Sequence, residues 1–554
     1  MKKLLLPVLL LFVFGACYAQ TFEEYKKQQR AEYKQYKSEQ QKAFDDFRKK
    51  VNDEYAEFMK HAWEPMEPEP AIEPVKEKVI PPVVYKEPEP KEEVKPQPKE
   101  EEVKPQPKEE VKPTPETKPE PQEENKPEIA VKPDSVPKEE PIQKADPLEK
   151  LQSNPEGLQS KPIAVQPVVI VLPKPTPAPE PIIPTVEPTE DPTSTVTVKF
   201  YGTVIKIKFP EPDKFKLKSL NENALSDAWK VLSGDAYNVT LKDALDARTK
   251  HQLCDWAYVD LLKQVTEKQY GVSNEAVFVQ DYLLTQSGYR VRLGASENQL
   301  YLLFASQYDL FNRSFFKIDG IKFYALAGKV KGLKVCNAPF ENEKTLSMQI
   351  AEPQKLTNVA SDERTLTSKR GVTAKSKVNK NDINFFDKYP EACIGGDGTT
   401  KWAVYANTPL APDVKQSLYP QLKEVTDKLG EKEAVGALLN WVQTAFKYEY
   451  DDKVWGHDRV FFAEETLYYP SCDCEDRSIL FSRLVRDLLG LDVVLLYYPG
   501  HLATAVHFTK PVKGDYLTYN GQDYVVCDPT YINAGIGRTM PGMDNQQAKV
   551  IALK

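Results

Sequence analysis

The fold of this chain is decided by a short stretch near its C-terminus, Ser471-Cys472-Asp473-Cys474-Glu475-Asp476-Arg477-Ser478. Two further runs follow it, Pro499-Gly500-His501-Leu502-Ala503 and Cys527-Asp528-Pro529-Thr530. In chain order, the three runs supply a thiol, an imidazole and a carboxylate. Their order is that of a thiol activated by a base that a carboxylate orients, which is an arrangement used in nucleophilic catalysis.

The residues after Cys474 have the pattern of an amphipathic helix. Leu480, Leu484 and Leu488 lie four residues apart on one stripe, and Gly490 is typical of the residue that ends a helix. Cys474 is therefore predicted at a helix N-terminus. Free backbone N–H groups and the helix dipole stabilise a thiolate at such a position.

Three runs rich in β-branched and aromatic residues follow this helix, at residues 493–498, 502–508 and 524–527. Each run predicts a β-strand. His501 directly precedes the second strand, and Asp528 follows the third. The predicted core is therefore α+β, and all three chemical groups lie at the ends of its elements.

These features resemble the transglutaminase-like superfamily, whose members share a papain-like Cys–His–Asp core. The resemblance rests on Cys474-Glu475-Asp476-Arg477-Ser478, the helix end Arg486-Asp487-Leu488-Leu489-Gly490, His501 and Asp528-Pro529-Thr530. It covers residues 400–554, with a helix over 440–448 upstream of the cysteine. The resemblance implies that Cys474 is the nucleophile, His501 the base and Asp528 the orienting carboxylate.

Two details of this assignment stay open in the sequence. His507 lies six residues beyond His501 and competes with it as the base, although His501 follows a Pro-Gly turn and opens the strand. Cys472 and Cys474 together form a possible metal half-site. Zinc needs four nitrogen or sulfur ligands, and a chain with only five histidines offers few residues to complete such a half-site. We therefore expect no metal and no cofactor.

The six cysteines beyond the leader do not form a disulfide framework in a chain of this length. One bridge is possible among them, although Cys472 and Cys474 are poorly spaced to bridge each other. The sequence does not assign a pairing among Cys254, Cys336, Cys393, Cys472, Cys474 and Cys527.

The first residues indicate export. Residues 1–19 combine two lysines, an apolar run and small residues before a cleavage site, as in a secretory signal peptide. Lipid attachment at Cys17 is the alternative. We expect a periplasmic or cell-surface protein. No other run is long enough to span a bilayer, and the net charge of −8 argues against a nucleic-acid partner.

Residues 20–63 form a predicted charged helix with an eleven-residue aromatic repeat. Eleven residues are close to three helical turns, so the aromatic pairs form one stripe that we expect to pack on a second copy, another helix or a surface. Residues 64–193 are rich in Pro, Glu and Lys and predict a disordered, extended linker. The repeated pairs are Phe22/Tyr25, Tyr33/Tyr36, Phe44/Phe47 and Tyr55/Phe58.

Residues 194–331 predict a second α+β domain, which is a candidate degenerate copy of the catalytic core. An offset of 202 aligns Gly288 with Gly490, and at offsets of 202 and 201 the three catalytic positions face Val272, Gln299 and Ala327. An unrelated domain with the same helix-then-strand order is the alternative. Residues 332–399 predict a β-rich connecting region.

The combined prediction is an exported cysteine hydrolase that cleaves peptide or carboxamide bonds through a thioester. Hydrolysis needs no acceptor site, so it is favoured over the acyl transfer of a protein-glutamine cross-linking enzyme, with the backbone N–H of Cys474 as an oxyanion donor. The alternative from another class is a non-catalytic peptide-binding or scaffolding protein of the same fold. The expected partners are a peptide or protein substrate and, through residues 21–63, a second copy or a partner helix.

Overall fold

The computed structural model describes residues 22–74, 79–86, 161–162, 166–168, 194–340, 342–544 and 546–553. The predicted signal peptide, the alternative lipid-attachment site at Cys17 and most of the Pro-rich segment lie outside the described residues. The described part is a mixed α+β structure, as the sequence predicts.

The first half of the described chain contains a long helix, a helical group and one large sheet. Up to residue 340, the helices and strands are α1 (Phe22–Met59), β1 (Trp63–Met66), β2 (Lys161–Pro162), β3 (Gln166–Val168), β4 (Ser194–Phe200), β5 (Thr203–Phe209), α2 (Glu222–Leu232), α3 (Asn238–Lys250), α4 (Asp255–Tyr270), α5 (Asn274–Gln286), β6 (Val291–Ala295), β7 (Leu300–Ala305), β8 (Asp309–Leu310), β9 (Phe315–Ile318), β10 (Ile321–Ala325) and β11 (Leu333–Cys336).

The second half carries the residues of the predicted catalytic core. Its elements are β12 (Arg364–Thr367), β13 (Thr373–Ser376), α6 (Lys380–Phe386), β14 (Ala392–Cys393), α7 (Lys401–Asn407), α8 (Pro412–Thr426), α9 (Glu431–Ala445), β15 (Lys447–Tyr448), α10 (Asp451–Val454), α11 (Ala463–Tyr468), β16 (Ser471–Cys472), α12 (Cys474–Leu489), β17 (Val493–Tyr498), β18 (His501–Val506), β19 (Asp515–Tyr519), β20 (Gln522–Cys527) and β21 (Lys549–Ala552).

The end of helix α1 is anchored on the first α+β region. The side chain of Asn52 accepts a hydrogen bond of 2.9 Å from the Trp229 indole, and the Tyr55 ring packs against the same indole at 4.6 Å. Tyr33 and Tyr36, earlier in the aromatic stripe, are 67% and 61% exposed. The described chain therefore covers the Tyr55 ring, whereas Phe58, its partner in the repeat, is 52% exposed, as are the two earlier tyrosines in larger part.

The two large sheets have the same strand order. The first contains β11-β6-β7-β10-β9 and the second contains β21-β17-β18-β20-β19, and neighbouring strands in both series are antiparallel. A helix leads into each sheet, α5 before β6 and α12 before β17. The order of elements in the first sheet is thus repeated in the second.

The register of the two sheets follows the predicted offsets. Val291 pairs with Phe304 in the first sheet, and Val493 pairs with Val506 in the second, which is an offset of 202 on both strands. The β9–β10 turn joins Ile318 to Ile321, and the β19–β20 turn joins residues 519 and 522, which is an offset of 201. The two halves therefore align strand by strand.

The matching β-turns have a local chemical cause. Asp319 and Gly320 have φ values of 51° and 77°, and Asn520 and Gly521 have values of 49° and 75°. Two successive positive φ values allow a two-residue hairpin turn, and Asp, Asn and Gly adopt them most readily. The segment 315–326, which reads as a single strand in the sequence, is consequently a hairpin.

The predicted domain boundary at residue 331 cuts through the first sheet. Strand β11 pairs with β6, with Val335 opposite Gly294, so the first α+β unit continues to Cys336. The sequence places β11 in the connecting region because this strand joins its sheet through a partner about forty residues away. Periodicity along the chain carries no information about such a pairing.

The predicted disordered linker is partly ordered, because the described residues between 64 and 168 add to the edges of both sheets. Strand β1 pairs with β11, and β2 and β3 run parallel to β19 and β21. A further extended piece, residues 79–86, is called the strap below. Proline is compatible with this role because an edge strand uses the hydrogen-bonding groups of one side only.

No helix within the described part of the chain combines the length and the apolar character that crossing a membrane requires.

Candidate functional site

Cys474 lies in the first turn of helix α12, as the sequence predicts. Asp473 precedes the helix in an extended conformation, and its backbone N–H donates a hydrogen bond of 3.2 Å to the Asp476 carboxylate. Gly490 ends the helix in the left-handed conformation, with a φ of 67°. Cys474 is buried, and the helix packs against strand β18, which begins at His501.

The surroundings of the Cys474 thiol disfavour its charged form. Its Sγ donates a hydrogen bond of 3.1 Å to Glu475 Oε2. Burial raises the pKa of the thiol well above its usual value, and the carboxylates of Glu475 and Asp473 raise it further. Burial and two nearby acids therefore oppose the stabilisation of a thiolate that the sequence predicts at this helix N-terminus.

One backbone group favours the charged form of the thiol. The N–H of Leu502 faces the sulfur, and this hydrogen bond lowers the pKa of Cys474. Leu502 directly follows His501 in strand β18. The contact therefore places the sulfur beside the start of the strand that carries the imidazole.

His501 and Asp528 form a buried pair. The Nε2 atom of His501 lies 2.9 Å from Asp528 Oδ2, and both side chains are almost completely shielded from solvent. The other carboxylate oxygen accepts backbone hydrogen bonds from Thr530 and Tyr531, at 2.8 and 3.1 Å. The carboxylate is thus held from one side by its own loop while it fixes the imidazole on the other.

The second ring nitrogen of His501 is uncommitted. Nδ1 is buried and has no hydrogen-bond partner among the described residues. Because Nε2 faces Asp528, Nδ1 is the ring nitrogen with capacity to take up a proton. The structure therefore brings the base and its carboxylate together, while the Cys474 thiol donates its hydrogen bond to Glu475.

The alternative base, His507, directly follows the far end of the same strand. Its Nδ1 is 2.9 Å from the Asp523 carbonyl oxygen, and its ring packs against Tyr524 at 5.5 Å. The cavity described below is lined by His501 and not by His507. The geometry thus favours His501 among the two histidines that the sequence leaves open.

Cys474 and His501 line one cavity of about 1040 Å³. Asp473 and Glu475 form part of its wall, and Trp402 forms part of the apolar side. Asp528 is not among the lining residues, because it lies behind the imidazole. The cavity is large enough for a peptide side chain and the bond next to it.

Several acidic residues near the thiol are absent from the sequence prediction. Burial raises the pKa of Asp473 well above its usual value, and burial together with the charge of Glu475 raises the pKa of Asp451 to about 8. One oxygen of Asp473 has no hydrogen-bond partner in the part of the chain that the structure describes. Asp473 and Glu475 flank Cys474 in the sequence, which was a signal that they lie near the thiol. Asp451 belongs to a separate helix, and only folding brings it near.

Two groups of side chains around Glu475 have the spacing of possible cation ligands. Oxygen atoms of Asp451, Asp458 and Glu475 lie within 4.8 Å of one another, and so do the ligand atoms of Asp473, Cys474 and Glu475. Asp458 already forms an ion pair of 2.7 Å with the Lys401 ammonium. The buried ammonium group of Lys401 thus balances part of the negative charge of this acidic cluster.

Cys472 has a structural environment. It lies in strand β16, paired with Tyr448, and its Sγ is 3.9 Å from the Lys447 carbonyl oxygen. Burial raises the pKa of Cys472 to about 11. All six cysteines that the structure describes are free thiols.

The first sheet lacks this chemistry at the equivalent positions. The Leu300 N–H, which corresponds to that of Leu502, donates a hydrogen bond of 2.8 Å to the side-chain oxygen of Asn274. Val272, aligned with Cys474, is 92% exposed, and Gln299 is also exposed. An amide oxygen at the start of helix α5 therefore takes the hydrogen bond that the thiol takes in the second half.

Comparison of the chain with protein-family models, with curated proteins and with solved structures finds no match in any of the three.

Proposed function

We propose that this protein is a transglutaminase-like cysteine hydrolase that cleaves a peptide or carboxamide bond through a thioester. The observation that carries the proposal is the buried His501–Asp528 pair of 2.9 Å, in which Nδ1 of His501 has no partner among the described residues, while His501 and Cys474 line one cavity. The assignment to the transglutaminase-like superfamily rests on the sequence resemblance and on this arrangement.

The first chemical step follows from the two ring nitrogens. The Cys474 proton moves to Nδ1 of His501, and the sulfur attacks the substrate carbonyl carbon. The imidazolium retains its Nε2–H hydrogen bond to Asp528, whose negative charge stabilises the positive ring. The backbone N–H of Cys474, in the first helical turn and without an intrahelical acceptor, is the oxyanion donor.

The remaining steps return the enzyme to its starting state. The imidazolium of His501 gives its proton to the departing amine, which leaves an acyl group on the sulfur of Cys474. A water molecule then attacks the thioester with His501 as the base, and the acid product leaves as the thiol is restored. An amine in place of water would give acyl transfer, which is the cross-linking alternative.

A second candidate function is peptide binding without catalysis. It is favoured by the resting thiol, because Glu475 accepts its proton in a hydrogen bond and the pKa of Cys474 is raised. A cysteine with such surroundings is a poor nucleophile unless substrate binding or a proton transfer changes them. The two candidates therefore differ in one measurable property, the reactivity of this thiol.

Alkylation by iodoacetamide, followed by mass spectrometry, tests the proposal. We expect carboxamidomethylation at Cys474 that is faster than at Cys472, and a marked loss of that rate in His501→Gln. The matched control is His507→Gln, which we expect to label like the wild-type chain. Labelling of Cys474 that is unaffected by the His501 substitution would favour the non-catalytic alternative.

The product formed from a test substrate distinguishes hydrolysis from acyl transfer. With a glutamine-containing peptide as substrate, hydrolysis gives glutamate, and added methylamine gives the methylamide if acyl transfer operates. Release of ammonia without incorporation of methylamine is the expected result.

The exported location, periplasmic or at the cell surface, stays a prediction from residues 1–19.

A further inference from the structure

The strap is bound to the second half of the chain as an extended peptide. Its residue Tyr85 donates a backbone hydrogen bond of 2.8 Å to the Ile532 carbonyl, and the Ile532 N–H donates one of 2.9 Å to Val83. The bridge between Val84 and Ile532 is parallel. This pattern is that of a peptide added to an exposed backbone edge, a common mode of peptide recognition.

Three apolar side chains of the strap pack on an apolar cluster. Ile80, Val83 and Tyr85 pack on a group of three buried residues, whereas Val84 is 55% exposed. The Tyr85 ring meets Tyr531 edge-on at 5.8 Å and lies 4.2 Å from the Arg538 guanidinium. The three buried residues are Tyr531, Ala534 and Met540.

The strap also reaches the candidate site itself. The Ile80 N–H donates a hydrogen bond of 2.9 Å to the Gly500 carbonyl, one residue before His501. Val79 and the preceding Pro74 line the cavity that contains Cys474 and His501. The bound segment therefore runs from the wall of the cavity, past the base, to the loop that follows Asp528.

We propose that the strap occupies a groove for extended peptides, and that a peptide substrate binds along the same path after the strap is displaced. The substrate would have apolar side chains at alternate positions, as the strap has at residues 83 and 85, and would pair with Ile532 through its backbone. The inference rests on the proposed function for its substrate, but the groove itself is tested by binding alone.

The test uses the full chain with Cys474→Ala, so that no turnover occurs. A fluorescent peptide with the sequence of residues 79–86 is titrated against this chain and against the same chain with Ile80→Pro and Tyr85→Ala. The first change removes the N–H donor to Gly500, and the second removes the ring from its cluster. We expect the peptide to bind the strap variant about tenfold more tightly, because two contacts of the competing strap are lost.

The control is Val84→Ala, which alters an exposed side chain and should leave the affinity of the parent chain unchanged. A second measurement needs no strap variant. Excess peptide added to the otherwise unchanged chain should speed hydrogen exchange at the Ile80 and Tyr85 amides, because displacement of the strap frees both groups. Equal peptide affinity for all three chains, or unchanged exchange at saturating peptide, would overturn the groove.

The outcome is independent of the proposed chemistry. If Cys474 resists alkylation and turnover while the peptide binds, the hydrolase proposal fails and the groove stands. If alkylation depends on His501 but the peptide does not displace the strap, the groove fails and the hydrolase proposal stands.

Discussion

Replacement of Asp528 by asparagine removes the charged acceptor that stabilises the His501 ring. Oδ2 of Asp528 is 2.9 Å from Nε2 of His501, and both groups are buried, so water does not screen the interaction. The single amide oxygen of asparagine stays with the backbone N–H groups of Thr530 and Tyr531, so its NH2 group faces Nε2 and cannot accept the Nε2–H hydrogen bond. The variant therefore loses the charged acceptor of the imidazole and retains the shape of the side chain.

The magnitude follows from the kind of hydrogen bond that is lost. A buried hydrogen bond to a charged group contributes about 1.5 to 3 kcal/mol, and this stabilisation applies to the imidazolium that forms when Cys474 gives up its proton. Each 1.4 kcal/mol is about a factor of ten, so the alkylation rate of Cys474 should fall about 10- to 150-fold.

The assay is the rate of iodoacetamide labelling at neutral pH, with urea unfolding measured in parallel. In Asp528→Asn, the oxygen that binds the Thr530 and Tyr531 amides remains, so the free energy of unfolding should change little. Asp528→Ala removes that acceptor too and should destabilise the chain by about 2 to 5 kcal/mol. Wild-type labelling by a folded Asp528→Asn chain would refute the assigned role of this pair.

Three other predictions follow from the surroundings of the site and of the strap. Glu475→Gln removes a carboxylate that raises the pKa of Cys474, so the pH profile of labelling should move to lower pH, and an unmoved profile would contradict this electrostatic account. The pKa of Asp451 is about 8 in the folded chain, whereas in the unfolded chain this group has its ordinary pKa of 3.8. The contribution of Asp451 to the free energy of unfolding therefore falls as the pH rises from the unfolded pKa to the folded one. The difference in unfolding free energy between pH 5 and pH 8 should therefore be smaller in Asp451→Asn, as urea titrations at both values would show. The Pro-rich composition predicts proteolytic cleavage between residues 87 and 160, and the contacts of β1 and the strap should keep the fragment that contains residues 22–86 bound to the C-terminal fragment in gel filtration. Separate elution of the two fragments would contradict this prediction.

Local patterns were enough to locate the chemical groups along the chain. The leucine stripe after Cys474 and the stop at Gly490 predicted helix α12, and its observed start and end agree with that pattern. The run 493–498 predicted a strand whose bounds match β17. Such elements are predictable because a helix face and a strand are specified by residues that are close in sequence.

The repeated sheet lay at the limit of what the sequence could indicate. Offsets of 202 and 201 were visible at Gly288 and at Ala327, and the strand registers agree with them. Strands β11 and β21, each the last in chain order within its sheet, were not predicted as parts of these sheets. Both strands pair with a partner that comes earlier in the chain, so their position depends on contacts that no local pattern specifies.

The sequence by itself determined that a thiol opens a helix, that an imidazole opens a strand and that a carboxylate follows another strand. Only the tertiary structure decided the state of that thiol, since the cost of burial and the charges of Glu475 and Asp473 depend on distances in space. The docking of the strap beside Gly500 was likewise beyond the sequence, because a Pro-rich composition predicts an extended backbone but does not specify the edge to which it binds.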